Sequence, residues 1–202
     1  MLYKKIKEAW KNPKKNINEL FRTRLIEWRK QNTIIRIKRP TRLDRARNLG
    51  YRAKQGIILV RVRVKSGGRQ RPRPTKKGRR SKRQTSRKLV GITYQQIAEQ
   101  RANKKYVNCE VLNSYYVGKD GKSQWYEIIL IDRDHPQIKK DKKLSAVAKQ
   151  KGRVYRGLTS VGKRSRGILT HKGKGAEKLR PSRRKHMVRT KQSRTPHPPK
   201  KT

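Results

Sequence analysis

The stretch "CEVLNSYYVGKDGKSQWYEIILID", Cys109–Asp132, decides the fold. Two runs rich in aromatic and β-branched residues, 109–117 and 124–132, flank the segment "GKDGKS", whose Asp120-Gly121 pair is a turn former. This pattern predicts an antiparallel hairpin. Cys109, the one cysteine of the chain, is expected to be a packed small residue, because it has no second thiol for a disulfide and no adjacent base.

A helix and another strand are predicted upstream of the hairpin. Thr93 and Gln96 have capping-box spacing at the start of 93–105, which predicts a helix there. Such a helix places Tyr94, Ile97, Ala98 and Arg101 on one stripe. In 57–65, branched residues alternate with a mostly cationic set that includes Arg61, Arg63 and Lys65. This alternation predicts a strand with one buried face and one cationic face that points at a partner.

The N-terminal third has helical patterns. The predicted helical stripes are Leu2, Ile6 and Trp10, followed by Ile17, Leu20, Phe21, Leu25 and Trp28. In "PTRLDRARNLG", Thr41 and Asp44 have capping-box spacing and Gly50 is a plausible stop, which predicts a short cationic helix. We therefore expect an α+β fold: a small antiparallel sheet with packed helices, N-terminal helices, and a long basic loop and tail.

The charge of the chain points to a polyanionic partner. Its 202 residues include 61 Lys and Arg but only 12 Asp and Glu, giving a formal net charge of +49. Repulsion between charges closer than about 8 to 10 Å opposes any compact form, so a bound polyanion is expected to belong to the working structure. No apolar run approaches the length of a membrane span, and the first ten residues lack the apolar centre of a signal peptide.

The charge is unevenly distributed. Residues 89–141 hold eight basic and seven acidic residues, a net of +1, so the other 149 residues carry +48. Residues 66–88 hold eleven basic residues, no acid and no aliphatic or aromatic side chain, and 186–202 mixes charge with proline. The expected organisation is a basic helical region 1–56, an α+β core 57–141 that includes the basic loop, and a basic RNA-binding extension 142–202.

The composition of the basic loop 66–88 is typical of a segment that binds RNA, and the loop and the basic tail are expected to order on RNA. Guanidinium groups bind phosphates bidentately and stack on bases, while glycine and proline allow close, extended backbone paths. RNA is favoured over DNA because no helix-turn-helix, zinc module or basic zipper is visible. Tyr51 and Tyr155, each flanked by cations, are candidates for base stacking, although packing in the core is the more common fate of a tyrosine.

Enzyme signatures are weak. In "GLTSVGKR", 157–164, Arg164 stands where a phosphate-binding loop needs the Ser or Thr that ligates magnesium. The segment "DRDH", 132–135, is interpreted as polar groups at the hairpin exit rather than a metal or acid-base cluster, because Pro136 marks a turn. Two alternatives stay open: a DNA-compacting chromosomal protein, and a nuclease that uses "DRDH" with magnesium.

Longer motifs resemble a known family. The segments "PTRLDRARNLGYRAKQGIILVRVRV", "GGRQRPRP", "EVLNSYYVG", "EIILID" and "RGLTSVGKRSRG" are similar to those of large-subunit ribosomal protein 15 of archaea and eukaryotes. The bacterial protein with the same number is a different family. The likeness runs in order from about Tyr3 to Arg184, and "HKGKGAEKLRPS" resembles the archaeal version.

The resemblance implies a non-enzymatic constituent of the large ribosomal subunit, in the cytoplasm, that binds and stabilises the folded ribosomal RNA. Its expected partners are that RNA and neighbouring ribosomal proteins; no membrane, small-molecule substrate, cofactor, metal, catalytic residue or homo-oligomer is expected. The RNA-facing motifs of the family carry over to Arg42, Arg45, Arg47, Arg52, Lys54, Arg61, Arg63, Arg69, Arg71, Arg73, Arg156, Lys163, Arg164 and Arg166. The remaining candidate RNA-binding residues are Arg36, Lys38, Arg39, Tyr51, Lys65, Lys76, Lys77, Arg79, Arg80, Lys82, Arg83, Arg87, Lys172, Lys174, Arg180, Arg183 and Arg184.

Overall fold

The structure, a computed structural model, describes residues 2–68, 91–171 and 174. Its elements in chain order are α1 (Leu2–Ala9), α2 (Pro13–Asn16), α3 (Asn18–Lys30), β1 (Ile34–Ile37), α4 (Leu43–Asn48), β2 (Ile57–Lys65), α5 (Tyr94–Lys105), β3 (Cys109–Lys119), β4 (Ser123–Asp132), α6 (Pro136–Lys140), α7 (Lys142–Ala148) and α8 (Ser160–Ser165). The four strands form one antiparallel sheet in the order β1-β2-β4-β3. The predicted α+β class is confirmed. Residues 69–90 and most of 172–202 lie outside the described residues, so their ordering on RNA stays a prediction.

The predicted hairpin is confirmed as β3 and β4. One carboxylate oxygen of Asp120 accepts hydrogen bonds from the backbone N–H of Lys122 at 2.8 Å and of Ser123 at 2.6 Å, which fixes the turn. Register shifts in β3 lie between Val111 and Asn113 and between Tyr116 and Gly118. Because a bulge reverses the alternation of side chains, β3 contributes to the cores on both faces of the sheet.

Helices cover both faces of the sheet. On the α3 face, Phe21, Leu25 and Trp28 pack with Trp125 and Ile129. The rings of Trp28 and Trp125 are 5.9 Å apart. Of the predicted stripe, Leu20 instead remains half exposed. A side chain at residue 118 would meet the Phe21 ring at 2.9 Å, so Gly118 lets α3 approach the sheet closely.

The α5 face is built from smaller residues. Ala98 and Ala102 of α5 lie against Val60, Val62 and Leu130 of the sheet. The predicted cap is confirmed, since the Thr93 hydroxyl accepts a hydrogen bond from the Gln96 N–H at 3.3 Å. On the predicted stripe, Ala98 is buried and Arg101 is exposed, and the buried face of α5 also includes Gln96, Glu99 and Asn103.

The structure differs from the prediction at β2. A strand with one open cationic face was expected, but β2 lies inside the sheet and α3 covers the face that carries Arg61. The guanidinium carbon of Arg61 lies 4.5 Å from the centre of the Trp28 ring, and 12% of the Arg61 side chain is exposed. The period-2 pattern located the strand correctly but did not reveal the helix that packs on its second face.

The short cationic helix is confirmed as α4, but its predicted cap is wrong. The N-cap position is occupied by Arg42, which makes no side-chain cap bond. Thr41, the predicted cap, instead donates its hydroxyl hydrogen bond to Glu127. The predicted stop is correct: Gly50 has a φ of +97°, and the N–H of Tyr51 bonds to the Ala46 carbonyl at 3.0 Å. Together with the bond from the Gly50 N–H to the Arg47 carbonyl at 3.0 Å, this pairing is a Schellman termination, in which glycine supplies the left-handed residue.

The segment after the hairpin packs on the same molecule. Ile138 of α6 and Leu144 and Ala148 of α7 form a small cluster with Ile131, while Val154 is buried on the α5 face. Residues 142–161 therefore contribute to the core, although the three-part division of the chain stays a prediction. The "DRDH" segment makes local contacts: Asp132 accepts from the Asp134 N–H at 3.1 Å, and His135 caps α6.

The segment "GLTSVGKR" forms a tight turn. Thr159 caps α8 by accepting a hydrogen bond from the Gly162 N–H at 3.1 Å. A side chain at residue 162 would lie 2.6 Å from the Gly157 Cα, so the two glycine backbones are in direct contact. The glycines of this motif are thus explained by backbone packing, which agrees with the interpretation that it is not a phosphate-binding loop.

Candidate nucleic-acid interface

Besides Asp44 of α4, three of the chain's few acidic residues, all glutamates, are buried. Glu99 and Glu127 have no exposed surface, and Glu110 is 2% exposed. All three lie in the segment whose acidic residues make it nearly neutral in sequence. With these carboxylates buried, the exposed charged side chains of this segment are seven Lys or Arg and one acid, Asp134, so its charged surface groups are mostly cationic.

Glu127 holds the loop before α4 against the sheet. It accepts hydrogen bonds from the Thr41 N–H at 3.0 Å, from the Thr41 hydroxyl, and from the Tyr115 hydroxyl at 2.5 Å. Arg61 lies 3.9 Å away on the other side. Burial raises the pKa of Glu127, and the hydrogen bonds from Thr41 and Tyr115 oppose this shift. The contact positions the strongly basic 42–54 segment.

Glu110 and Arg153 fix the turn before α8. Glu110 accepts hydrogen bonds from the backbone N–H of Gly152 at 2.7 Å and of Arg153 at 3.4 Å. The Arg153 guanidinium donates to the Val111 carbonyl at 2.8 Å. Burial lowers the pKa of Arg153, opposed by the nearby Glu110 and Glu99 carboxylates. Arg153 is thus an internal cation that ties 152–158 to the edge of β3.

Glu99 joins α5 to the start of α8. Its two carboxylate oxygens accept hydrogen bonds from the Ser114 hydroxyl at 2.5 Å and from the Thr159 hydroxyl at 2.8 Å. Burial raises the pKa of Glu99, and the bonds from Ser114 and Thr159 oppose the rise. Since Thr159 caps α8, this contact positions the cationic sequence that follows it, including Lys163 and Arg164.

Partly exposed acids are also paired with cations. Asp120 forms an ion pair with Arg29 at 3.1 Å, and Asp141 forms one with Lys54 at 2.8 Å while capping α7. The hydrogen bond from Lys54 and the backbone bonds at the cap hold the pKa of Asp141 below its ordinary value. These carboxylates are therefore engaged within the protein.

Most of the predicted RNA-binding cations that the structure describes are exposed. The exposed set is Arg36, Lys38, Arg39, Arg45, Arg47, Arg52, Lys65, Arg156, Lys163, Arg164 and Lys174. They lie beside β1, on and after α4, at the end of β2, and around α8. The sequence-predicted residues outside the described part are Arg69, Arg71, Arg73, Lys76, Lys77, Arg79, Arg80, Lys82, Arg83, Arg87, Lys172, Arg180, Arg183 and Arg184.

Several predicted cations make intramolecular contacts instead of standing free. Arg42 lies over the Trp10 ring at 5.3 Å and 3.6 Å from Asp44. The Arg61 guanidinium donates to Gln31 at 2.8 Å, and burial lowers its pKa. In addition, Lys54 pairs with Asp141, Arg63 donates to the Arg29 carbonyl at 2.7 Å, and Arg166 donates to the Gly157 carbonyl at 3.3 Å. The sequence pattern does not separate these residues from the exposed set.

The two tyrosines considered for base stacking differ in exposure. Tyr51 is buried in the α3-face core, which favours the packing interpretation. Tyr155 is 57% exposed, with its hydroxyl 3.4 Å from the Gln100 carbonyl.

Cys109 is buried, and desolvation raises the pKa of its thiol to about 11, so it is a poor nucleophile at neutral pH.

Sequence reasoning did not select the exposed cations of the helices. They include Lys4, Lys5, Lys7, Lys11, Lys14, Lys15, Arg22, Arg29, Lys30, Arg101, Lys104 and Lys105. Except for Arg101, which lies on the predicted stripe of its helix, each of these cations lies off an apolar stripe or beside a helix end. An apolar stripe thus indicates the complementary face of a helix as a place for exposed charge.

Within residues 2–68 and 91–171, no group of three or more His, Cys, Asp or Glu side chains is placed to hold a metal ion. A helix of the length and apolarity needed to cross a membrane is also missing from these ranges.

Comparison with known families gives the class of the protein. A model of the family described as Ribosomal L15 matches residues 1–186 of the 202-residue chain. The chain belongs to this family. Its members are structural, non-enzymatic components of the large ribosomal subunit, so the resemblance is confirmed at family level and the nuclease alternative is set aside.

Proposed function

We propose that this chain binds and stabilises the folded RNA of the large ribosomal subunit. The observation that carries the proposal is the separation of charge: Glu99, Glu110 and Glu127 are buried, while the basic segments that they anchor expose their cations. A surface of this kind attracts phosphates and lowers the repulsion between RNA segments brought together. Phosphate contacts fix position, and the shape of the RNA supplies most of the discrimination.

The exposed candidate cations named above are the phosphate-binding residues of this proposal. Arg42 and Arg61 support the interface from within, because their guanidinium groups are occupied by Trp10, Asp44, Trp28 and Glu127. The predicted ordering of the basic loop 66–88 and of the basic tail on bound RNA belongs to this proposal, although most of these residues lie outside the described part of the chain. The protein acts in the cytoplasm beside neighbouring ribosomal proteins, as one copy rather than a homo-oligomer, and its "HKGKGAEKLRPS" segment makes it the archaeal version.

Salt-dependent binding of the full chain to deproteinised large-subunit RNA tests the proposal. With about ten phosphates engaged, the slope of log affinity against log salt is expected to be about −7 to −9. Replacing Arg156, Lys163 and Arg164 together by alanine is expected to reduce the slope by about 2 to 3 units. The charge-matched control replaces Lys139, Lys140 and Lys143, which are exposed but outside the proposed set, and is expected to change it by less than about one unit.

Competition with duplex DNA at matched salt addresses the remaining alternative. The proposal predicts that folded large-subunit RNA wins over duplex DNA of equal phosphate content. Equal affinity for both would instead favour a DNA-compacting protein, and equal slopes in the two triple variants would contradict an interface at Arg156 to Arg164.

A further inference from the structure

A groove of about 980 Å³ lies where the end of β2 meets the start of α5. Its volume is at the upper end of the range of about 300 to 1,000 Å³ that is usual for small-ligand sites. Apolar and aromatic side chains form its wall, among them Val64, Tyr94, Ile97 and Tyr126. The groove partly overlaps the proposed phosphate-binding surface, because Lys65 and Arg164 belong to both.

The aromatic wall is held in place before any ligand arrives. The Tyr94 hydroxyl donates to the Gly67 carbonyl at 2.7 Å and accepts from the Gly67 N–H at 2.9 Å. The Tyr126 hydroxyl donates to Gln124 at 2.6 Å, and its ring meets the Tyr116 ring at 5.8 Å in an edge-on arrangement. A ring fixed at both ends loses little freedom when a flat ligand stacks against it.

The charged lining of the groove is entirely cationic within the described residues. Lys65, Arg101 and Arg164 line it, and no described Asp or Glu does. Arg63 also borders the groove, but its guanidinium donates to the Arg29 carbonyl on the α3 side of the sheet. Arg101 is oriented by a hydrogen bond to the Arg63 carbonyl at 3.4 Å, while Lys65 and Arg164 are exposed. A flat apolar wall beside several cations complements a ligand that is aromatic at one end and anionic at the other.

We propose that this groove binds an unstacked nucleotide of the ribosomal RNA. The base lies against the Tyr94 and Tyr126 wall, and the flanking phosphates contact Arg101 and Arg164. Bases in RNA loops and bulges are available for such stacking, whereas bases inside a helix are not. This inference rests on the proposed function, and it adds a site that recognises a single-stranded nucleotide to a surface that otherwise contacts phosphates.

Photo-crosslinking tests the site without a mutation. Large subunits that contain the full chain are irradiated with short-wave ultraviolet light, digested with nucleases and protease, and examined by mass spectrometry for nucleotide adducts. An adduct on Tyr94 or Tyr126 is expected. Adducts on other residues of this chain, with none on these two tyrosines, would overturn the groove while leaving RNA binding intact. Adducts nowhere on the chain would overturn both proposals.

Substitutions at two positions separate the contribution of stacking to RNA affinity from the contribution of charge. Tyr94→Leu removes the ring and is expected to lower the affinity for large-subunit RNA about 10-fold with an unchanged salt slope. Arg164→Ala is expected to reduce the slope by about 0.7 to 0.9. Tyr94→Phe keeps the ring and is expected to retain most of the affinity. Equal affinity of Tyr94→Leu and the unmodified chain would overturn the proposal, as would occupation of the groove by the chain's own residues 69–90, detected as a protein-protein crosslink to Tyr94.

Discussion

The backbone N–H of Thr41 donates a hydrogen bond to Glu127 at 3.0 Å, across 86 residues of sequence. This contact joins the loop before a cationic helix to the centre of the sheet. Glu110 and Glu99 make equivalent contacts to residues 152–153 and to Thr159. In each case a buried carboxylate holds a basic segment, so the scarce acids of the chain serve to position its cations.

Removal of the Glu127 carboxylate is expected to destabilise the fold strongly. Glu127→Ala leaves the Thr41 N–H and the Tyr115 hydroxyl without their acceptor in the interior, and the Arg61 guanidinium without its counter-ion. The expected loss in free energy of unfolding is about 3 to 5 kcal/mol. Urea unfolding, followed by the fluorescence of the buried tryptophans in a constant sulfate buffer, measures it.

The matched control for Glu127 is Asp134→Ala. Asp134 is also an acid, but its side chain is 77% exposed and its ion pair with Lys139 is 3.5 Å long. Its removal is expected to leave the unfolding midpoint unchanged, because exposed ion pairs contribute little. A similar loss of stability in both variants would show that Glu127 acts through net charge and not as a buried acceptor.

Arg61 and Arg164 are expected to act differently although both are arginines in RNA-facing motifs of the family. Arg61→Ala removes an internal cation beside Trp28 and Glu127, so it is expected to lower stability by about 2 to 4 kcal/mol. Arg164→Ala removes an exposed cation and is expected to leave stability unchanged. Parallel urea unfolding and salt titration of RNA binding distinguish the two effects.

In the same titrations, Arg164→Ala is expected to reduce the salt slope by about 0.7 to 0.9, and Arg61→Ala is expected to leave it unchanged. An altered slope for Arg61→Ala, with normal stability, would mean that its guanidinium leaves the Trp28 ring to contact phosphate.

Glu99 gives the fold a pH dependence of a definite sign. Because burial raises the folded-state pKa above the ordinary value of 4.5, ionisation of Glu99 costs stability as pH rises through the raised pKa. Glu99→Gln removes this cost, and the two hydroxyls can still bond the amide: one of Ser114 and Thr159 donates to its oxygen while the other accepts from its NH2 group. The variant is therefore expected to gain stability relative to the unmodified chain at neutral pH.

The advantage of Glu99→Gln is expected to shrink on acidification and to become constant below about pH 4.3. Urea unfolding of both chains between neutral pH and this value measures the difference. An advantage that grows as pH falls would indicate that the partners of Glu99 stabilise its ionised form more than burial destabilises it.

Substitution of Gly162 is expected to lower stability, whereas substitution of Gly121 is not. Gly162→Ala would place a methyl group 2.6 Å from the Gly157 Cα, so a backbone shift is required. The expected cost is about 1 to 3 kcal/mol. At Gly121 an added methyl group meets nothing within 4 Å, and its alanine variant is expected to match the unmodified chain in urea unfolding. Equal stability of the two variants would contradict the close contact of the glycine backbones.

The elements of the fold were largely predictable because their signals are local. The Asp120-Gly121 turn, the Thr93 cap and the Gly50 stop each depend on residues within a few positions of one another. The errors involve tertiary contacts. Thr41 has the spacing of a capping residue, but its hydroxyl bonds to Glu127 on a distant strand. No local pattern contains that information.

The sequence predicted the basic composition of the candidate site but not which of its cations are exposed. Arg61 and Lys65 belong to the same alternating run, yet one lies over Trp28 and the other is exposed. Their difference depends on α3, which packs on the sheet from an earlier part of the chain. The burial of Glu99, Glu110 and Glu127 was also invisible in the sequence, which shows them only as charges that make residues 89–141 nearly neutral.

The central claim is that RNA holds this chain in the large ribosomal subunit. Its most direct test is sedimentation of a native lysate through a high-salt sucrose gradient, with and without ribonuclease, followed by detection of the chain in each fraction. We predict that the chain sediments with the large subunit and that ribonuclease releases it. A chain found only at the top of the gradient, or with DNA, in the untreated lysate would contradict the claim.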